Sequence, residues 1–501
     1  MTHPPLPQET GTIVVGGGTA GAAVAAVLAR HGSEPVLLLE AGPDYGPRAT
    51  GRWPADLLDA RAIPPSHDWG LRNAGSPLDL PRARVIGGCS AHNGCTASVG
   101  ARADYDGWAA GGNPGWSAAD VKPLLDWVRR RFRVRAYTTQ ELTPPQAAFV
   151  AAGMSAGLPL AGDLDRLEAG PGIGPMTVNI FGGVRWNSSF AFLDPVRGQP
   201  GLRIAGDVLV SKLLIGNGTV RGVEVRAGGA AHTIRARQVV VCAGAYQSPA
   251  LLLRSGIGPA AVLSQLGIRP VIDLPGVGAN LLDHACVELD FAGGDGFAES
   301  MTRLPWSPDE QSVGRARSSR CDAGPYDIHV FMVAGANSGH PGLPPISLYG
   351  GAMRARSQGR VRLRDADPAS PPVIDHRHGT DPDGHDIAVL SEALDLLRTM
   401  AAVPELEKIL GQGVASADRD PLERIVSYCH PAGTCKLGPD SDKDAVVGAS
   451  GLVHGTANLY VADASIMPAI TRGNINLPTA MIGTRVAAGL AGLTPADIAA
   501  S

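Results

Sequence analysis

Residues 11–42, GTIVVGGGTAGAAVAAVLARHGSEPVLLLEAG, decide the fold. The apolar run 11–15 predicts a short buried strand. Residues 22–32 predict a helix stopped by Gly32, and residues 35–42 a second buried strand closing at Glu40. Strand, glycine turn, helix and strand within about thirty residues make a βαβ unit, which implies a parallel sheet. Between the first strand and the helix, Gly16, Gly18 and Gly21 meet the GxGxxG spacing. The first glycine permits a tight turn, the second lets backbone approach a pyrophosphate, and the third lets helix and strand pack closely. The helix start then offers free N–H groups to phosphates. Glu40 lies about twenty residues past the glycines, where an acid takes hydrogen bonds from ribose hydroxyls. In isolation GxGxxG is only a glycine-rich turn. With the strand before it, the helix after it and the acid in place, it reads as a dinucleotide site. The acid disfavours NADP, and the spacing leaves FAD and NAD both open.

Outward from this unit, a chain of 501 residues exceeds one small core, so two interleaved or consecutive domains are expected. The formal net charge of -4, with no basic stripe or polybasic run, argues against nucleic acid and anionic membrane partners. Seven scattered cysteines without a CxxC pair argue against a disulfide framework or a zinc site, so no metal is expected. Neither a signal-peptide pattern nor a membrane span is read at the N-terminus. The apolar stretch 13–29 is broken by glycines and too short for a bilayer, and a cytoplasmic location is expected. Residues 117–131 predict a helix with Ser117 as N-cap. Residues 202–226 predict a β-meander turning at Asn217-Gly218. Residues 386–410 predict one helix, and LYVAD (459–463) a strand followed by a helix.

Six further segments decide the cofactor. They are ARVIGGCSAHNG (83–94), DYDGWAAGGNPGWS (104–117), GAYQSPALLLRSGIG (244–258), LPGVGANLLDH (274–284), CHPAGTCKLG (429–438) and LYVADASIMPAITRGNINLPTAMIG (459–483). With EAG at 40–42 they resemble, in order, the glucose–methanol–choline (GMC) family of FAD-dependent oxidoreductases. The matches run from residue 11 to about residue 490 and are poor at about 135–185 and 290–340. The resemblance implies an α/β fold: a Rossmann-type FAD-binding domain with a parallel sheet, plus an α+β substrate-binding domain with an antiparallel sheet. Expected boundaries are 8–134, 196–285 and 429–501 for the FAD-binding parts, the last carrying the catalytic histidine motif, and 135–195 and 286–428 for the substrate domain. Within the resemblance, FAD contacts fall to Gly16, Gly18, Thr19, Ala20, Gly21, Glu40, Ala41, Val85, Gly88, Ser90, His92, Asn93, Gly94, Thr96, Val210, Ala243, Asp463, Ala464 and Asn476.

The resemblance places the catalytic histidine at His430 and its polar companion at Asn474. The chemistry implied is alcohol oxidation, in which a neutral imidazole accepts the hydroxyl proton while hydride leaves for the flavin. Asparagine cannot serve as a base, which leaves His430 as the single obvious one. His284 is expected to pack or hydrogen-bond, Cys435 to pack, and His376, His378 and His385 to be solvated loop residues. The stretch GGCSAHNGC (87–95) is similar to that of choline oxidases, which implies covalent attachment of FAD through His92. Choline itself is not expected as substrate. Cys429 stands where an aromatic residue precedes the catalytic histidine, and LPWSPDE (304–310) offers no clear carboxylate at the matching place. The expected substrate is a primary alcohol or an aldehyde hydrate, with oxygen as acceptor. A dehydrogenase using a quinone or protein acceptor, a non-redox lyase of the same fold, and a non-catalytic nucleotide-binding protein stand as alternatives. A homodimer and a monomer are both open.

Overall fold

The computed structural model describes residues 6–76, 78–302, 306–335, 345–414 and 421–501. Strand β1 (Glu9–Val15), helix α1 (Thr19–His31) and strand β2 (Val36–Leu39) form the N-terminal unit. β1 lies between β2 and the strand Ala230–Val241, parallel to both, and β2 pairs in parallel with Leu202–Ala205. An interior strand of a parallel sheet is covered on both faces, which explains why Ile13, Val14 and Val15 form an unbroken apolar run, all 5% exposed or less. The 12-residue strand Ala230–Val241 has two roles. Its first half pairs antiparallel with Thr219–Ala227, and its second half pairs in parallel with β1 and with Leu459–Val461.

The meander predicted over 202–226 begins later than expected. Val208–Gly216 and Thr219–Ala227 form the antiparallel pair, turning at Asn217 and Gly218 with φ of 52° and 70°. Leu202–Ala205 belongs to the parallel edge instead. The amides of Asp207 and Val208 donate to the carbonyls of Gly42 and Glu40, each at 2.8 Å, and pin the reversal to the end of β2.

The second sheet is antiparallel and has six strands, in the order Val426–Ser427, Ala285–Phe291, Ile346–Ala352, Ile328–Ala334, Ser312–Ala316 and Gly172–Pro175. Helix His385–Ala401 covers one face through Val389, Leu390, Ala393 and Leu397, all buried. The single helix predicted over 386–410 divides at Ala402–Val403, because Pro404 opens a second helix, Pro404–Leu410. Proline lacks the N–H that would continue the first and disfavours helical geometry in the residue before it. Segment 135–195 also serves both halves. Gly172–Pro175 joins the antiparallel sheet, whereas Trp186 and Phe190–Leu193 pack in the core of the first, where Phe192 stacks on Trp127 at 5.5 Å.

The helix Asn476–Leu490 begins earlier than its apolar run and lies against α1, where a methyl added at Gly483 would meet the Ala20 carbonyl oxygen at 2.7 Å. Among the described residues all seven cysteines are free, and no helix is long and apolar enough to cross a membrane. The apolar stretch 13–29 is divided between β1 and α1.

Candidate active site

A cavity of about 960 Å3 lies between the two sheets and takes lining residues from both, from Val15 and Leu39 on one side to Phe331 and Tyr349 on the other. At one end the glycine turn closes tightly. Gly16 sits at φ 95°, a backbone state that side chains disfavour, and a methyl at Gly21 would meet the Gly16 carbonyl oxygen at 1.8 Å. Gly18 precedes α1 as its N-cap and offers no side-chain cap, so the first-turn N–H groups beside the cavity have no capping side chain. Glu40 accepts the amides of Gly17 and Gly42, each at 2.8 Å, and burial pushes its carboxyl up to about 7 despite those bonds. Such a carboxyl is suited to sharing hydrogen bonds with ribose hydroxyls. Two groups facing the cavity hold buried polar atoms with no hydrogen-bond partner among the described residues: Asn476 Nδ2, and Nε and Nη1 of Arg254. Asn476 is otherwise held by Thr19, whose hydroxyl donates to its Oδ1 at 3.0 Å. Uncapped amides, orphaned donors and a long slot from Glu40 and Val210 to His430 fit an adenine dinucleotide carrying a flat redox ring.

Of the contacts expected from the sequence, Gly16, Gly18, Thr19, Ala20, Glu40, Ala41, Gly88, His92, Asn93, Gly94, Thr96, Val210, Ala243, Asp463, Ala464 and Asn476 all line this cavity, together with His430 and Asn474. Gly21, Val85 and Ser90 are set back from it. Gly21 packs against Gly16, Val85 is fully buried in the core, and the Ser90 hydroxyl donates to the Gly87 carbonyl at 2.6 Å. Asp463 shapes the turn behind the lining, its carboxylate accepting from the Gly244 and Ser465 amides and the Ser248 hydroxyl.

The loop bearing His430 is zipped to the segment 282–284. Leu282 and Ala432 exchange backbone hydrogen bonds at 2.9 Å, and the Tyr428 amide donates to the His284 carbonyl. Asp283 anchors the centre. Its Oδ1 accepts the His430 amide at 2.9 Å, and its Oδ2 accepts the Ser427 hydroxyl. Arg82 donates to the Cys429 carbonyl at 2.8 Å, and Cys429 itself sits at φ 64°, an uncommon state for a non-glycine residue. The imidazole thus presented has both nitrogens engaged. Asn474 Nδ2 lies 3.3 Å from His430 Nε2, and His284 Nδ1 lies 3.0 Å from His430 Nδ1. An amide N–H needs an acceptor, so Nε2 carries the lone pair and Nδ1 carries the proton, which it donates to His284. Burial, then the neighbouring His284, push the His430 pKa well below its ordinary value. Burial likewise holds His284 at about 4.

His376, His378 and His385 are not solvated loop residues. His376 is 2% exposed and His385 4%, while His378 is stacked on His376 at 4.8 Å. Tyr246 hydrogen-bonds His376 Nε2 at 2.7 Å, and His378 Nε2 lies 3.3 Å from Asp283 Oδ2. Burial pushes the Asp283 carboxyl up, but the hydrogen bond from His378 and the other partners outweigh it and hold the group ionised. The triad Asp283, His376 and His378 has ligand-type atoms within 4.8 Å of one another, a grouping that scattered cysteines gave no reason to expect. Here it braces the His430 loop. The sequence reading also missed Arg82, Arg254 and Glu310 on the cavity wall. Arg254 lies within the segment that resembles the second family signature. Glu310 lies in the stretch read as offering no clear carboxylate, of which Leu304 and Pro305 fall outside the described residues.

Comparison with known proteins agrees with this geometry. Residues 10–286 match the N-terminal and residues 355–483 the C-terminal GMC oxidoreductase model. The oxygen-dependent choline dehydrogenase of Brucella anthropi is 32% identical over 537 residues, covering 97% of this chain and 96% of that protein. Pyridoxine 4-oxidase from Mesorbium loti has a similar structure, with a TM-score of 0.81 and 27% identity over 96% of this chain and 98% of that one. The formate oxidase of Aspergillus oryzae shares the fold at 22% identity and a TM-score of 0.82, covering 96% and 98% of the two chains. With the glycine turn, the acid, the dinucleotide-sized slot and the histidine loop in the family's order, the chain is a member of the FAD-dependent GMC oxidoreductase family.

Proposed function

We propose that this oxidoreductase converts a primary alcohol to an aldehyde, with His430 as the base and oxygen as the acceptor. The observation that carries the reading is the placement of His430 on the cavity wall with Asn474 Nδ2 3.3 Å from its Nε2 and His284 Nδ1 3.0 Å from its Nδ1, an arrangement that favours a lone pair at Nε2 and a proton at Nδ1. When bound, FAD supplies the hydride acceptor, and the residues from Gly16 to Asn476 that line the cavity would hold it. A hydroxyl entering beside Nε2 gives its proton to that nitrogen. Asn474 Nδ2 then lies beside the oxygen and donates to the negative charge that builds there. Burial, which disfavours the imidazolium, keeps His430 in the form able to accept a proton. Oxygen as acceptor is favoured by the names of the choline dehydrogenase and pyridoxine oxidase relatives.

Anaerobic mixing of the holoenzyme with a panel of primary alcohols should bleach the flavin, and readmitted air should yield hydrogen peroxide. Bleaching without peroxide would replace oxygen by a quinone or protein acceptor. Turnover without bleaching would make the chain a lyase.

His92 is proposed as the tether for the cofactor. It lies in the cavity wall and is held by burial at about 4, so its ring is neutral. Its Nε2–H donates to the Ser66 carbonyl at 3.0 Å. With FAD bound, His92 would hold it through a C–N bond, made at the expense of one N–H of His92 and one C–H of the cofactor, with oxygen as the two-electron oxidant. Yellow colour retained in the acid-precipitated protein supports the tether, and release to the supernatant overturns it.

A further inference from the structure

His376, His378 and Asp283 meet beside the His430 loop but outside the lining of the cavity. The backbone between the two histidines turns at Arg377, held at φ 54°, an uncommon state for a non-glycine residue, and the rings stack at 4.8 Å. The turn is fixed from outside the triad. The His376 amide donates to Asn73 Oδ1 at 3.0 Å, and the Thr380 hydroxyl donates to the Arg377 carbonyl at 2.7 Å. His376 Nδ1 and His378 Nε2 both face one oxygen, Asp283 Oδ2, at 3.5 and 3.3 Å. His376 is buried, and its Nδ1 has no hydrogen-bond partner among the described residues. Its other nitrogen is held by the Tyr246 hydroxyl at 2.7 Å. A ring fixed through one nitrogen, with the other aimed at a carboxylate, has the arrangement of a metal-ligating histidine and its outer partner. With the Nε2 proton given to Tyr246, Nδ1 turns a lone pair on the buried carboxylate, a repulsion that a cation between them removes. Asp283 has no Lys or Arg ion-pair partner among the described residues, and Arg82 donates to the Cys429 carbonyl instead. The Ser427 hydroxyl occupies one lone pair of Oδ2 and leaves the other for an ion.

We propose that Asp283 Oδ2, His376 Nδ1 and His378 Nε2 form a binding site for a divalent transition-metal ion of the zinc class, with water as the fourth ligand. Ligand atoms around a tetrahedral zinc with bonds of about 2.0–2.1 Å stand roughly 3.3–3.4 Å apart, which the two spacings to Oδ2 match. The third edge, between the two ring nitrogens, is within 4.8 Å and closes by a tilt of His378, the one ligand with a partly exposed side chain. Two imidazoles and a carboxylate suit zinc, cobalt or nickel, whereas magnesium and calcium take oxygen ligands. The ion sits away from the cavity, so it takes no part in the reaction itself. Its effect runs through Asp283, whose Oδ1 accepts the His430 amide at 2.9 Å. It clamps residues 376–378 to the loop bearing His430, a stabilising role that does not depend on the alcohol-oxidation reading.

The test uses the EDTA-treated holoenzyme and zinc chloride, with magnesium chloride as the control. Calorimetry should show a single zinc per chain, with a Kd of about 10 μM or tighter, and no magnesium. Zinc should also raise the melting temperature by about 2 °C or more. Cobalt in place of zinc should show the ligand-field bands of a tetrahedral ion, to the red of the flavin absorption. His378→Gln keeps an N–H that can donate to Asp283 but removes the ligand. Without zinc it should melt within about 1 °C of the wild type, and its zinc affinity should fall at least about tenfold. A triad that only hydrogen-bonds would show no such split. His232→Ala, which removes an exposed histidine elsewhere, should bind zinc as the wild type does. Should His378→Gln fail to fold, zinc-edge X-ray absorption of the wild type decides: two imidazoles and an oxygen support the site, and oxygen ligands alone overturn it. Absence of zinc binding, equal binding of magnesium, or an affinity unchanged in His378→Gln would also overturn the inference.

Discussion

At His430 two neighbours divide the labour that a base requires. Asn474 marks Nε2 as the acceptor, and His284 takes the proton of Nδ1. The backbone is held independently by Asp283 and Arg82, so the ring is positioned by one set of bonds and its tautomer set by another. A pH dependence follows. Burial and then His284 lower the His430 pKa, so the neutral, accepting form persists below pH 6.5 and is lost only at more acidic pH. The acid limb of kcat/KM for alcohol oxidation should therefore lie clearly below 6.5. A limb at or above 6.5 would mean that the effect of burial is offset in the working enzyme. His430 was legible because a single motif carries it. Glu310 was not, because its carboxylate reaches the cavity only through the placement of residues 309–311 between Arg61 and Met176.

Among the elements, the turn between β1 and α1 is the one the sequence describes most completely. Gly21 answers to the Gly16 carbonyl within the turn and Gly16 to its own φ of 95°, which local spacing suffices to read, whereas the approaches of Gly16 to Cys242 and of Gly18 to Gly88 come from distant segments. Gly21→Val forces a branched side chain into the space of the Gly16 carbonyl oxygen. It should leave little bound flavin per mole of protein and lower the melting temperature, a cost of about 1–3 kcal/mol or more for overpacking. Gly162→Ala, with nothing within 4 Å of the added methyl, should leave both close to wild type. Flavin retention equal to wild type in Gly21→Val would show that the turn is looser than its contacts imply. The less legible elements are those set by non-local pairing. The apolar pattern of Leu202–Ala205 suits either a meander or a parallel edge, and only the pinning of residues 207–208 to β2 decides. His376 and His378 looked polar and exposed because their partner Asp283 is nearly a hundred residues away.

Over the whole molecule, two sheets built from alternating segments of chain enclose one cavity, and the burial that shapes it leaves a titration signature. His92, His284 and His376 are held by burial at about 4, and His329 and His430 are also lowered. Between pH 6.5 and 4 these histidines bind fewer protons folded than unfolded, so their contribution is lost as pH falls through that window. Burial raises Glu40, Asp165 and Glu310 to about 7, and these work in the opposite sense, since the folded form holds their protons first. With His31 also lowered and Asp194 and Glu288 also raised, six histidines stand against five acids, so the melting temperature should drop between pH 6.5 and 4.5. A rise over that interval would place the balance with the carboxyl groups.

The central claim is that one neutral imidazole, His430, takes the alcohol proton. The direct measurement is the rate of anaerobic flavin bleaching by a single alcohol in the wild type and in His430→Ala, at equal flavin content. The account predicts a rate lower by about 10²- to 10⁴-fold in the variant, with an unchanged oxidised flavin spectrum. Equal rates in the two proteins would contradict it.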